Sequence, residues 1–193
     1  MAGTGFRSLT LALAAAAAPV LAQQAEQVLP EIKVRAETPQ SPVGPDQGYV
    51  ARRSATATKT DTPLAETPQS VSVVTRERIE DQGATSLQDA LNYAAGVRSD
   101  AYGLDSRSDN VRVRGAYPDE YRDGLRRLFG YYTSTTRPDP YMLERIEVLR
   151  GPSAMLYGQG STAGVINMVS KRPLAEPQSE VGVQLGSFNR KQV

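Results

Sequence analysis

Apolar and polar residues follow a period of two in several short stretches of the chain. Such runs, and short runs rich in β-branched residues, predict β-strands. The Asp-Gly pair at Asp123 and Gly124 favours a tight hairpin turn across residues 122–125. The predicted strands are residues 70–74, 110–115, 146–150 and 165–170.

Helical patterns are confined to short stretches between these strands. Thr75 can cap the first helix, which ends at Gly83, and Asp139 can cap a later one that begins at Pro140. Residues 85–88 have the form of a capping box, before apolar residues that share one helical face up to Gly96. The predicted helices are residues 76–82, 87–94, 140–144 and 153–157.

Short strands mixed with short helices predict an α+β domain of about 110 residues with a small mixed β-sheet. We place this domain at residues 61–173. In residues 180–188 apolar side chains alternate with small or polar ones, which is typical of a transmembrane β-strand. Residues 174–193 are therefore interpreted as the start of a β-barrel. Because lipid does not tolerate unpaired strand edges, we expect the chain to be a fragment of a longer protein.

The N-terminal region is typical of an exported protein. Arg7 precedes an apolar stretch at residues 9–20, and a small-residue cleavage site ends at Ala22. The apolar stretch is too short to cross a bilayer comfortably as a helix. We therefore interpret residues 1–22 as a signal peptide, and we expect this chain, if made alone, in the periplasm. Residues 23–60 contain four prolines and no sustained period, which predicts a flexible segment.

The composition narrows the possible functions. The chain has no His and no Cys, so it lacks the commonest general base and metal ligand, and a disulfide framework is excluded. These absences favour binding or transport over catalysis, and we expect the chain to have no metal site and no cofactor. Its 22 basic and 21 acidic residues nearly cancel, so no global field attracts nucleic acid. We interpret the cluster of Arg122, Arg126 and Arg127 as a solvated turn.

Three features have two interpretations on the sequence alone. The Gly-rich loop at residues 158–164 could cradle a phosphate, although a structural turn is favoured because no P-loop Lys follows. The charges in residues 144–150 could be solvated or could be paired inside an enclosed domain. Tyrosines in predicted loops could fill the core or could grip an amphipathic ligand.

Several blocks of the sequence resemble the plug domains of TonB-dependent outer-membrane receptors, in the ferric-siderophore branch. They occur in the order of that family and together span residues 58–188. The combination is more specific than any one block. The blocks are residues 67–74, 87–97, 111–115, 122–124 and 141–173.

The resemblance implies a fold and a function. In that family the plug fills a barrel of about 22 strands in the outer membrane, a ferric siderophore binds above it, and TonB, driven by ExbB and ExbD, pulls from below. The resemblance therefore implies a gated transporter that is not an enzyme. The alternative is a free-standing periplasmic module that binds a small ligand without spanning a membrane.

The resemblance also implies which residues act. A TonB box, captured by strand addition, is implied at Leu29, Pro30, Glu31, Ile32, Lys33 and Val34. Contacts between the plug and its own barrel are implied at Arg114 and Arg150, together with Glu144 and Glu147. Among the loop tyrosines, the expected ligand contacts are Tyr102, Tyr117, Tyr131 and Tyr132.

Overall fold

The computed structural model describes residues 40–103, 105, 107–127 and 137–192. All of them belong to one compact unit, Thr38–Val193. The expected signal peptide and TonB box lie outside the described residues.

The described part of the chain contains one five-stranded mixed sheet and three two-stranded pairs. The strands are β1 (Arg53–Ser54), β2 (Thr62–Pro63), β3 (Ser70–Thr75), β4 (Val97–Arg98), β5 (Arg112–Val113), β6 (Asp119–Arg122), β7 (Leu125–Arg126), β8 (Leu143–Arg150), β9 (Gly164–Ser170), β10 (Gln184–Gly186) and β11 (Arg190–Gln192). The sheet has the order β3-β8-β9-β6-β7, in which only the β6–β9 pair is parallel. The separate pairs are β1–β2, β4–β5 and β10–β11.

The central strands β8 and β9 are buried on both faces. Val148 belongs to a core cluster with residues of the helices, whereas its neighbour Leu149 belongs to a second cluster with Ala57 and Tyr121. Successive side chains of a strand point to opposite faces, so each face of the sheet has its own apolar cover. The α+β class with a mixed sheet is confirmed.

The helices are short, as the sequence predicts. Thr75 caps the first of them and accepts a hydrogen bond from the Arg78 N–H. The second is capped by Ser86, one residue later than the predicted capping box, because Gln88 is buried and donates to the Ser99 carbonyl instead. The helices are α1 (Arg76–Asp81), α2 (Leu87–Leu91) and α3 (Ala154–Tyr157), with 3-10 turns at Leu64–Glu66 and Pro140–Met142.

The strand predictions are accurate in place but not always in length. The hairpin at Asp123 and Gly124 is confirmed, and both residues have positive φ, 50° and 79°. The prediction of a helix through residue 144 is wrong, because the 3-10 turn ends at Met142 and β8 starts at Leu143, three residues before the predicted strand. The strand predicted at residues 110–115 shortens to β5.

The flexible segment predicted at residues 23–60 is wrong in its C-terminal part. Residues 46–59, which we call the strap, pack against the sheet: Asp46 is 9% exposed, Ser54 0%, Thr56 2% and Ala57 1%. The sequence shows no periodicity there because, apart from the two residues of β1, the strap contributes isolated side chains instead of a regular helix or strand. These side chains cover the face of the sheet that carries Leu149.

The C-terminal residues form a hairpin and not one continuous strand. β10 pairs with β11, and the chain turns at Phe188 and Asn189, whose φ values are 56° and 60°. The single strand expected at residues 180–188 is therefore wrong. Among the described residues, every helix is too short or too polar to cross a bilayer.

Candidate functional site

Two tyrosines and one arginine form an exposed group that we call the Tyr102–Arg112–Tyr117 cluster. On either side of Arg112, Val111 and Val113 are 3% and 0% exposed, so the period of two turns Arg112 away from the core. The Arg112 guanidinium carbon lies 5.3 Å from the centroid of the Tyr102 ring and 4.3 Å from that of Tyr117. Both are cation–π distances.

Hydrogen bonds fix the orientation of these three side chains. Arg112 Nη2 donates to the hydroxyl oxygens of Tyr102 and Tyr117, and the Tyr117 hydroxyl donates to that of Tyr102 at 3.3 Å. The Tyr102 oxygen accepts two hydrogen bonds, so its own proton is left to donate outward. The hydrogen bond from Tyr117, followed by the hydrogen bond and charge of Arg112, lowers the pKa of Tyr102. The cluster presents a positive charge, an O–H donor and two aromatic rings.

The Gly-rich loop, residues 158–164, lies directly beside this cluster. The Ser161 hydroxyl donates to the Tyr117 carbonyl oxygen. The Ser161 N–H donates to Asp119 Oδ2 at 2.6 Å, and Arg126 Nη2 donates to Asp119 Oδ1 at 2.7 Å. A protein carboxylate therefore occupies the position that an anion would take in a phosphate cradle. The structure favours the structural interpretation of the loop.

Arg112 and Asp119 are the members of this site that sequence reasoning missed. A signal for Arg112 was present, since an arginine between two apolar strand residues must face away from the core. Its partners lie 10 and 5 residues away in loops, so no pattern on the strand could find them. The link from Asp119 to Ser161 crosses 42 residues.

Of the four expected ligand tyrosines, the structure brings Tyr102 and Tyr117 together. Tyr131 and Tyr132 lie outside the described residues. The described residues on either side of them are paired: Arg127 contacts Glu120 at 3.0 Å, and Arg137 contacts Asp109 at 3.1 Å. Burial raises the pKa of both carboxyl groups, Glu120 and Asp109.

Arg114 and Arg150, which the resemblance assigns to barrel contacts, lie near each other. Arg114 is exposed, with φ of 50°. The pKa of Arg150 is lowered first by burial and then by the positive charge of Arg114. Arg150 donates within the domain to the Ala95 carbonyl and to Ser72 Oγ, both at 2.7 Å. Two like charges held close together suit an acidic partner, and their contact with a barrel stays a prediction.

The expectation that Glu147 contacts a barrel is wrong. Glu147 is 1% exposed, and its carboxylate accepts hydrogen bonds from Ser54 and Thr56 of the strap. Arg145, fully buried, lies 3.0 Å from Glu147 and 2.9 Å from Asp46. Of the two interpretations of the charges in residues 144–150, pairing inside the domain is correct for this carboxylate, because the strap covers it.

Glu144 differs from Glu147 in its surroundings. It is only half-buried, and burial raises the pKa of its carboxyl group. A contact between Glu144 and a barrel stays a prediction. Over the described ranges, no group of three or more acidic side chains is placed to hold a metal ion.

Comparison with known proteins identifies the domain. The TonB-dependent Receptor Plug Domain family matches residues 63–165. The chain is 43% identical over 149 residues to the ferrichrome outer membrane transporter/phage receptor of Escherichia coli strain K12, covering 75% of this chain and 20% of that protein. It is 42% identical over 150 residues to the ferrioxamine receptor of Yersinia enterocolitica, covering 75% and 21%.

A solved structure agrees with these relatives. The pyoverdine outer membrane receptor of Pseudomonas aeruginosa PAO1, bound to pyoverdine, matches 74% of this chain and 21% of its own, with a TM-score of 0.66 and 32% identity. The chain spans about a fifth of the length of the relatives it matches. Because the family match covers more than half of the sequence, the chain belongs to the TonB-dependent receptor plug domain family.

Proposed function

We propose that this chain is the plug of an outer-membrane receptor that takes up a ferric siderophore in a TonB-dependent manner. The observation that carries the proposal is the exposed Tyr102–Arg112–Tyr117 cluster on a domain of this family. Two relatives named as a ferrichrome transporter and a ferrioxamine receptor support this cargo class over a free-standing binding module. The activity is transport and not catalysis.

The chemistry of the cluster suits such a cargo. A ferric siderophore surrounds its iron with oxygen atoms, and these oxygens accept hydrogen bonds at the surface of a compact organic molecule. Arg112 supplies the positive charge, and Tyr102 supplies an O–H donor that no protein group uses in the described residues. The exposed tyrosine rings, 59% and 43% accessible, can pack against the organic part of the ligand.

Coupling to energy requires a second partner. The proposed TonB-binding strand, with ExbB and ExbD driving TonB, consists of Leu29, Pro30, Glu31, Ile32, Lys33 and Val34. The proposed receptor also includes its own barrel, against which Arg114 and Arg150 would pair with carboxylates. This assignment places the receptor in the outer membrane.

The cargo is tested in cells that lack other siderophore receptors. The gene is expressed with its complete reading frame, and iron-55 binding and uptake are measured from ferric ferrichrome and from ferric ferrioxamine B. Arg112→Ala should weaken binding by about 1–3 kcal/mol. Arg107→Ala is the matched control. Arg107 is an exposed arginine paired with Asp105 at 2.8 Å, so its substitution removes the same charge as Arg112→Ala does.

The tyrosines are tested in the same cells. Tyr102→Ala and Tyr117→Ala should each weaken binding, whereas Tyr93→Ala, at a tyrosine that is 76% exposed outside the cluster, should not. Equal binding by the wild type and by Arg112→Ala, Tyr102→Ala and Tyr117→Ala would contradict the proposal. The proposal would also fail if the wild type took up neither ferric ferrichrome nor ferric ferrioxamine B.

The TonB-binding strand is tested separately from the cargo. Ile32→Pro or Val34→Pro removes an N–H donor and breaks an added strand, so uptake should stop while surface binding remains. Ile32→Ala retains the N–H and should retain uptake. Wild-type uptake in both proline variants would overturn this assignment.

A further inference from the structure

The carboxylate of Asp119 is the hub of the contacts around the Gly-rich loop. It lies at the start of β6 and accepts the Ser161 N–H at 2.6 Å on one oxygen and Arg126 Nη2 at 2.7 Å on the other. Arg126 also donates to the Gln159 carbonyl at 3.0 Å. The loop and two strands therefore meet at a single side chain, which is 17% exposed.

The close approach of the loop to this carboxylate depends on Gly160. A Cβ atom at Gly160 would overlap Asp119 Oδ2. Only a residue without a side chain lets the backbone lie this close to a carboxylate. The same carboxylate is an acceptor on both oxygens, and an amide could offer only one acceptor there.

A short path leads from this hub to the ligand-facing tyrosine. Asp119 holds the Ser161 backbone, and the Ser161 hydroxyl donates to the Tyr117 carbonyl oxygen. The Ser161 hydroxyl also accepts the Ala163 N–H at 3.1 Å, which orients it. Tyr117 in turn lies over Arg112 and donates to the Tyr102 hydroxyl.

We infer that Asp119 is a positioning residue, an internal anion that holds Ser161 and through it sets Tyr117 against Arg112 and Tyr102. Asp119 thereby determines the arrangement of the cluster. Only the test that uses a ligand as its readout rests on the proposed function. The geometry of this path predicts a change in the Tyr102 pKa that the loss of a charge alone would not produce.

That effect is measured without any ligand, on the pKa of Tyr102. The full chain is labelled with [13Cζ]tyrosine, the Tyr102 signal is assigned from its loss in Tyr102→Phe, and the signal is titrated by NMR. Removing a nearby negative charge by itself stabilises a phenolate and lowers a tyrosine pKa. If Tyr117 loses its position, the hydrogen bond that most lowers the Tyr102 pKa is lost, and the pKa rises.

Asp119→Ala should therefore raise the Tyr102 pKa, and added formate, which can occupy the vacated carboxylate position, should lower it again. Asp105→Ala is the matched control, because it removes an acidic charge near Tyr102 in sequence without touching Ser161, and it should leave the pKa unchanged or lower. An unchanged or lowered Tyr102 pKa in Asp119→Ala would overturn the inference.

A second variant keeps the test decisive if Asp119→Ala does not fold. Ser161→Ala keeps the charge and the backbone but removes the hydroxyl that holds the Tyr117 carbonyl. It should raise the Tyr102 pKa in the same direction, with no effect of formate. No rise in Ser161→Ala would overturn the proposed path.

Ligand binding supplies a cycle that separates positioning from general stability. With ferric ferrichrome as the probe, Asp119→Ala should weaken binding about tenfold in the wild-type background and should have little further effect beside Tyr117→Ala. Equal losses in both backgrounds would show that Asp119 does not act through Tyr117. If the wild type binds no ferrichrome, the proposed function fails on that probe, and the Tyr102 titration still decides the role of Asp119.

Discussion

Two arginines on strands of different sheets show how similar sequence patterns lead to different uses. Arg145 on β8 is fully buried between Asp46 and Glu147, so carboxylates neutralise its charge. Arg112 on β5 is partly exposed, and its side-chain partners in the described residues are the neutral phenols of two tyrosines. A buried arginine with acidic partners belongs to the interior of its own domain, whereas one held by phenols suits the proposed ligand site.

The carboxylates follow the same division. Glu147 is enclosed by the strap, and burial raises the pKa of its carboxyl group. Asp105 lies beside Arg107 with its side chain 24% exposed, and hydrogen bonds from that arginine lower its pKa to about 2. The cover over a carboxyl group and its charged neighbours therefore decide its pKa together.

The largest expected effect comes from removing the buried arginine. Arg145→Ala leaves Asp46 and Glu147 buried without their cation, so we expect the free energy of unfolding to fall by about 3–5 kcal/mol. Denaturant unfolding measures the change.

The matched control for this prediction is an exposed ion pair of nearly equal length. Arg53 lies 2.8 Å from Asp61, with side chains 34% and 55% exposed, against 2.9 Å for the buried pair. Arg53→Ala should cost no more than about 1 kcal/mol. Similar losses in the two variants would remove the distinction between buried and exposed arginines.

The second effect concerns the backbone at the two ends of the Gly-rich loop, residues 158–164. Gly164 begins β9 with φ of 120°, and a Cβ there would overlap the Leu149 carbonyl oxygen. Gly164→Ala should therefore cost about 2–3 kcal/mol. Gly158 also has positive φ, 73°, but a Cβ there meets open space, so Gly158→Ala should cost about 1–2 kcal/mol. Thermal unfolding distinguishes them, and a larger loss at Gly158 would contradict the packing at Gly164.

Local patterns predicted much of the fold and less of the site. The strands near β3, β8 and β9 follow from β-branched runs, and the hairpin follows from Asp123 and Gly124, because short-range sterics decide both. The strap could not be predicted, since its buried side chains make contacts about 90 to 110 residues away, such as Thr56 with Glu147 and Asn167. Because the strap covers Glu147, this residue lies in the core and not at the surface, where a barrel contact was expected.

The site was predictable where exposure alone decides. Tyr102 and Tyr117 were expected in loops because they lie off any periodic apolar face, and the structure brings them together. Arg112 and Asp119 were missed because their roles depend on partners from separate loops.

The third prediction uses pH to test the burial of Glu147. Its pKa is raised in the folded protein, first by burial, so the folded state holds the proton more tightly than the unfolded state. The stability that protonation contributes is complete below the unfolded pKa and is lost as the pH rises through the folded one. Glu147→Gln lacks this titration. The free energy of unfolding of wild type minus that of the variant should fall as the pH rises above about 4.5.

The other carboxyl groups with raised pKa, including Glu120 and Glu144, are present in both proteins and cancel in this difference. Unfolding at a series of pH values gives the slope. A difference that is independent of pH, or that rises with it, would show that Glu147 is stabilised as a carboxylate by Arg145 and the strap hydroxyls.

The smallest effect on stability should come from the exposed arginine. Arg112→Ala removes two cation–π contacts, two hydrogen bonds to phenols and one to the Gly115 carbonyl, yet all of these groups can be solvated when Arg112 is lost. We expect the free energy of unfolding to change far less than in Arg145→Ala. The Tyr102 pKa should rise in the same variant, because the hydrogen bond and charge of Arg112 both lower it. Tyrosine NMR titration and denaturant unfolding of one sample measure the two effects together. A loss of stability as large as that of Arg145→Ala would mean that Arg112 is a structural residue, and the comparison between the two arginines would then fail.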